Sequence, residues 1–222
     1  MLCKRLVVVL TFHDGILFRT KKFRPDLRYT LNFVDLDHAD QIALIHVSGE
    51  FSNFVSTVRR FRRGCRIPLL VGGGIASLDN AIALMDIGAD SVLIGAKRVQ
   101  TVREVAGAFG SANVCVGVDN GRCDPVSTAL EAQKHGAGEI LLQDVSRDGS
   151  LSGLATTTIR NVSAAVTCPV IATSGVGSWK HFYEGYKAGA DAVGTQCIYH
   201  FTARSLIAAK RYLDDRGISV RI

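Results

Sequence analysis

Two glycine-rich turns carry the residues best suited to hold an anion. Residues 67–96, IPLLVGGGIASLDNAIALMDIGADSVLIGA, and 168–197, CPVIATSGVGSWKHFYEGYKAGADAVGTQC, align without a gap at a shift of 101 positions. Gly74 falls on Gly175, Ser77 on Ser178, Gly88 on Gly189 and Asp90 on Asp191. In VGGGIAS and TSGVGS, small residues let the backbone approach a ligand with no Cβ in the way, and amides at the start of the next helix attract negative charge. Either turn alone is also explained as a tight connection; the pair points to a ligand with two phosphates. Proton transfer needs another kind of group, and the apolar run VCVGVD at 114–119 stops on a carboxylate. Asp119 is therefore the strongest acid or base candidate, with a turn or helix cap as its competing role. Asp148, in SRDGS, reads as shaping an Asp-Gly turn and lining a phosphate end rather than moving protons.

These residues need a frame that brings them together. Apolar runs at 5–11, 42–47, 67–71, 91–95, 114–118, 139–144, 169–173 and 191–195 read as eight strands, and seven helical patterns follow, from FSNFVSTVRRF to the closing TARSLIAAKRYLDD. Strands apolar on both faces that alternate with helices mean a parallel sheet with right-handed crossovers. The expected architecture is a (β/α)8 TIM barrel with a half-barrel repeat, spanning residues 1–222 as a single domain. An open doubly wound sheet leaves the repeat unexplained. In the repeat, Leu78, Ala81, Ile82 and Met85 map onto Trp179, Phe182, Tyr183 and Tyr186, so both helices are expected to bury the same face. Polar residues at the strand ends, among them Thr11, His13, His46, Gly95, Gln143, Gln196 and Cys197, then surround one mouth.

Composition narrows the functional classes. With 47% hydrophobic residues in 222, the chain has ample core, and no apolar run reaches the roughly 20 residues of a membrane span. The opening MLCKRLVVVL has no signal-peptide cleavage pattern, which places the chain in the cytoplasm with no membrane partner. The six cysteines form no CxxC pair and no metal spacing, so reduced thiols are expected, with no metal and no cofactor. The net charge of +6 comes largely from RTKKFR at 19–24 and VRRFRRGCR at 58–66. The first lies in a loop where a phosphorylated substrate can use it. The second reads as a solvated helix end, with an acidic protein or a nucleic acid as the rival reading; no nucleic-acid partner is expected.

In order along the chain, MLCKRLVVVLTFHDG, VGGGI, AGEILLQDVSRDG, PVIATSGVG, AGADAV, IYHF and RYLDDRGISVRI resemble the cyclase subunit of imidazole glycerol phosphate synthase nearly end to end. The resemblance implies a barrel that binds a bisphosphorylated ribonucleotide intermediate and receives ammonia from a separate glutaminase subunit in a heterodimer. It places phosphate binding at Gly74 and Gly95 on one side, and at Asp148, Gly149, Gly175, Gln196 and Cys197 on the other. It places the ammonia entrance and the partner face at Arg5, Glu139 and Asp90, with Gln41 and Ser91 replacing charged residues of the family's entrance ring.

Departures accompany the matches. Of the family's two catalytic aspartates, the second matches Asp119 while the first falls on Thr11. The lysine of the first loop falls on Arg19, His46 stands in place of an aspartate, and only 16 residues separate Asp119 from Gly136, so the long covering insertion is absent. Three readings follow: a cyclase of the histidine-pathway type, a paralogue that passes ammonia to another acceptor such as a sugar in surface-glycan synthesis, and a non-catalytic basic binding module.

Overall fold

The computed structural model describes residues 3–18, 20–22, 24–25, 36, 38–196 and 205–222, so Arg19 and Cys197 lie outside the described residues. The strands in chain order are β1 (Arg5–His13), β2 (Ile16–Phe18), β3 (Thr20–Lys21), β4 (Arg24–Pro25), β5 (Gln41–Ser48), β6 (Leu69–Gly72), β7 (Ser91–Gly95), β8 (Val114–Asp119), β9 (Glu139–Gln143), β10 (Val170–Ala172) and β11 (Ala192–Thr195). The helices are α1 (Phe51–Gly64), α2 (Leu78–Met85), α3 (Val99–Phe109), α4 (Pro125–Lys134), α5 (Thr156–Ala165), α6 (Trp179–Lys187) and α7 (Ser205–Asp214).

β1 and β5 through β11 pair in parallel in that order, and the sheet closes where Arg5 to Val8 meet Ala192 to Thr195. The eight parallel strands with helices between them form a (β/α)8 barrel. Between β1 and β5 the chain instead extends β1 into an antiparallel hairpin with β2, then pairs β3 with β4. These two- and three-residue strands fall where the sequence suggests only a loop, because such short runs carry no readable period.

Alternation along each strand sorts side chains to two sides. Val7 and Val9 join Ala43, Ile45, Leu70, Leu93, Cys115, Leu141 and Ile171 inside the barrel. Leu6, Val8, Leu10 and Phe12 face the helices, where Phe54 and Phe182 are fully buried. Each such side chain contributes roughly 1.5–3 kcal/mol.

The repeat is visible in three dimensions, with compensating differences. α2 buries Ala81 and Leu84, whereas α6 buries Phe182, Gly185 and Tyr186. Leu84 and Gly185 are repeat partners: a Cβ on Gly185 would lie 2.7 Å from Leu154 Cδ1, so the bulk of the neighbouring aromatics replaces the leucine. Trp179, expected in the buried stripe, is 36% exposed and packs on Tyr212 with ring centroids 6.1 Å apart. At the opposite end of the barrel, Asp90 and Asp191 each accept the first amide of the preceding strand, from Leu69 at 2.8 Å and Val170 at 3.1 Å. Asp40 accepts the second amide of β1, from Leu6 at 2.9 Å, and also holds the buried Lys210 ammonium at 2.8 Å.

Candidate functional site

The two glycine turns follow β6 and β10, four strands apart in a ring of eight, and so face each other across the C-terminal mouth. Both bend through two consecutive residues with positive φ, Gly73 (82°) and Gly74 (75°) on one side and Ser174 (77°) and Gly175 (88°) on the other. Both are locked by the same bond, Ala76 N–H to Asn80 Oδ1 at 3.0 Å and Gly177 N–H to His181 Nδ1 at 3.1 Å, again 101 positions apart. The amides of Gly74, Ile75, Gly175 and Val176 donate to no protein acceptor among the described residues. The glycines are required by close approach: a Cβ on Gly175 would lie 2.3 Å from the Gly153 carbonyl oxygen, and one on Gly74 would lie 2.8 Å from His46 Cδ2.

Each turn opens on a pocket. One is lined by Asp148, Gly149, Ser174, Gly175, Thr195 and Gln196, and thereby gathers the described residues expected at the second phosphate end. The other, a cavity of about 350 Å³, is lined by His46, Gly73, Gly95, Gly117 and Arg122; Gly73 rather than Gly74 forms its wall. Ile45 and Gln143 border both, so the two pockets adjoin over the barrel interior. Asp148 lines the first of these pockets. Buried, it accepts the Thr20 hydroxyl at 2.8 Å, which also lies 3.0 Å from Gln196 Oε1, so the β1–β5 excursion is fastened to this wall.

Asp119 ends β8 on the inward face and pairs in register with Gln143. Its Oδ1 accepts the Val145 amide at 3.3 Å, and Arg122 Nε lies 3.0 Å from Oδ2 without an aligned hydrogen bond. Burial pushes the carboxyl above its ordinary range, against the Val145 amide and Arg122, with help from the nearby Asp144 charge. Such a carboxyl keeps a proton to donate closer to neutral pH. Thr11 occupies the inward face of β1, 1% exposed, and its hydroxyl donates to the Phe18 carbonyl of β2 at 2.5 Å. His46 turns outward between Phe51 and Phe54 with Nδ1 buried and unbonded, and burial lowers its pKa.

The N-terminal end of the barrel is built differently. Arg5 donates to Gln41 Oε1 at 2.9 Å and to Glu139 Oε1, so one guanidinium ties β1 to β5 and β9 across the barrel floor. Burial raises the Glu139 pKa, and Arg5 opposes the shift. Asp90 sits on the rim, accepting the Leu69 amide and lying 3.5 Å from Arg62 NH1.

The sequence that builds this barrel has counterparts among known proteins. Histidine biosynthesis proteins match residues 7–203. The chain belongs to that family. Among its relatives, the imidazole glycerol phosphate synthase subunit HisF of Pyrobaculum aerophilum is 39% identical over 207 residues, covering 83% of this chain and 82% of its own. The proteins of the same name from Chlorobium luteolum and Thermococcus onnurineus are 32% and 31% identical over 251 residues, and cover the whole of this chain. Alignments longer than the 222-residue chain mean that these family members carry residues without a counterpart here. In the structure, only residues 120–124 connect β8 to α4. That shortness brings Arg122 to Asp119, a contact that composition does not reveal; its one sequence signal is the three-residue spacing. Gln143, standing between the pockets, is foreshadowed only as a polar strand end.

Proposed function

We propose that the chain is an ammonia-using barrel subunit of the imidazole glycerol phosphate synthase cyclase type, acting on a bisphosphorylated substrate and paired with a glutaminase. The observation that carries this reading is the opposition of two geometrically equivalent glycine turns across one mouth, with Asp119 on the strand between them. Phosphates at Gly73–Gly74 with Gly95, and at Gly175 with Gly149 and Gln196, hold the ends of the substrate while its middle lies over Gln143 and Asp119. Arg19 and Cys197, outside the described residues, belong to the same proposal as substrate contacts. At the floor, Arg5 and Glu139 form the plug that ammonia passes, and the rim bearing Asp90 meets the partner. Similarity to relatives named as subunits of a synthase supports the pairing.

A second reading, in which ammonia goes to a different acceptor such as a sugar, is favoured by one feature. Thr11 is covered by β2 and its hydroxyl is committed to Phe18, so it supplies no ionisable group where the family pairs a carboxylate with Asp119. Losing one positioned acid or base costs about 10² to 10⁴ in rate. The deciding assay supplies ammonium chloride and the family's ribonucleotide intermediate to the native chain, Thr11→Asp and Asp119→Asn. Slow native turnover, raised in Thr11→Asp and abolished in Asp119→Asn, is expected if the acceptor has changed. A native rate equal to that of ordinary relatives returns the chain to the histidine pathway.

A further inference from the structure

We propose that His13 is the second acid/base group of this barrel, working opposite Asp119. The assignment rests on the ammonia-using reading above and names the residue that completes its chemistry.

Elimination among the groups around the mouth leads there. On the inward strand faces, Thr11, Val47, Gly95 and Gln143 do not ionise near neutral pH. Of the described ionisable groups nearby, Asp144 is buried and accepts from Asn120, Ser146 and its hydroxyl, Asp148 braces Thr20, and His46, which borders one pocket, comes from an outward strand position with its ring packed against Phe51 and Phe54. Arg122 stays protonated. Among the described residues on inward strand positions at the mouth, the ionisable ones are Asp119 and His13.

His13 is placed for the task. It continues the inward face of β1 two residues beyond Thr11, roughly 7 Å nearer the mouth at the usual rise per residue. β1 and β8 are diametrically opposed in the ring, which puts the strand end bearing His13 across the mouth from the strand end bearing Asp119. A bulge on β5 skips Val47 and sets Ser48 opposite His13; bulges of this kind re-aim side chains at functional sites. Ser48 Oγ then lies 2.5 Å from His13 Nδ1, and the ring meets Phe18 edge-on with centroids 6.2 Å apart. The imidazole is exposed, and its Nε2 has no protein partner among the described residues. Asp14 and His46 are its ionisable neighbours.

The chemistry needs two such groups. When ammonia adds to a carbonyl, the nitrogen–carbon bond forms, the carbonyl π pair moves to oxygen, the nitrogen must lose a proton and the oxygen must gain one. Neutral His13 takes the proton from nitrogen through Nε2 while protonated Asp119 delivers one to oxygen. The imidazolium then returns its proton to the departing hydroxyl, and Asp119 takes a second proton from nitrogen, leaving a C=NH imine and water.

The test uses the full-length chain with ammonium chloride and ribulose 1,5-bisphosphate, a carbonyl compound with two phosphates, and traps imine with cyanoborohydride. The native chain should exceed the uncatalysed rate, and His13→Gln should lose about 10² to 10⁴ of it, together with a limb of the pH profile that Asp119→Asn leaves in place. Bisphosphate affinity should change little in His13→Gln, which a merely structural role does not predict alongside the rate loss. Full rate with an unchanged pH profile in His13→Gln overturns the assignment. If the native chain traps no imine, the ammonia reading falls, and His13 is judged by its ring-nitrogen NMR signals. Those must move when the bisphosphate is added; signals that stay in place overturn the assignment independently.

Discussion

Asp119 shows what it costs to bury a carboxyl at a strand end. Burial favours the protonated carboxyl in the folded state, so the fold holds that proton to higher pH than the unfolded chain does. Stability from this group is therefore present at low pH and declines as pH rises through the unfolded and then the raised folded pKa. Asp119→Asn removes the penalty: melting followed at neutral pH should show a variant at least as stable as the native chain, while its turnover falls about 10²- to 10⁴-fold. A fall in melting temperature would make Asp119 a structural cap instead. Gly175→Ala should act in the opposite sense. With φ at 88° and the Gly153 carbonyl 2.3 Å from the new Cβ, backbone strain of order 1–3 kcal/mol should accompany loss of phosphate binding, both readable in one calorimetric series. That Asp119 ends a strand and Gly175 sits in a tight turn was legible in the sequence, because an apolar run ending on a carboxylate and a repeated glycine turn are local signals. The bond from Thr11 to Phe18 and the Arg122 contact were not, since both depend on how loops fold back.

At the scale of elements, strand and helix alternation was legible throughout, because two-sided apolar strands and helical periodicity span enough residues to be read. β2, β3 and β4 were too short for any period, and the partial exposure of Trp179 depends on its packing against Tyr212 of α7. The three aspartates that precede β5, β7 and β11 tie neighbouring strands at the N-terminal end, and Asp40 carries a further load through Lys210. Lys210→Met leaves a carboxylate buried, with Arg221 NH2 at 3.4 Å as its other cation. Because breaking a buried pair costs about 3–5 kcal/mol and Arg221 compensates in part, chemical denaturation should place the loss near the lower end of that range. A loss within experimental error would mean that Arg221 takes over the pair entirely.

Across the whole molecule, the proposed function separates chemistry from delivery. The mouth holds the turns, Asp119 and His13, while the floor holds Arg5, Gln41 and Glu139. α1 runs from the mouth side down to the floor side and carries Arg59, Arg60 and Arg63 exposed on its lower half, with Arg66 just beyond. Those charges exceed what a helix C-terminus uses, and Arg62 beside them reaches Asp90 on the rim proposed to meet a glutaminase. Association measured by light scattering should therefore weaken in Arg59→Glu and Arg60→Glu and with added salt; indifference to both would move the partner elsewhere.

The central claim is that the two turns grip one bisphosphorylated molecule, and calorimetric titration tests it most directly. The account predicts two phosphate ions per chain, one ribulose 1,5-bisphosphate per chain that displaces both, and weaker bisphosphate binding when either Gly74 or Gly175 becomes alanine. Two bisphosphates per chain, or binding indifferent to one of the two turns, would contradict it.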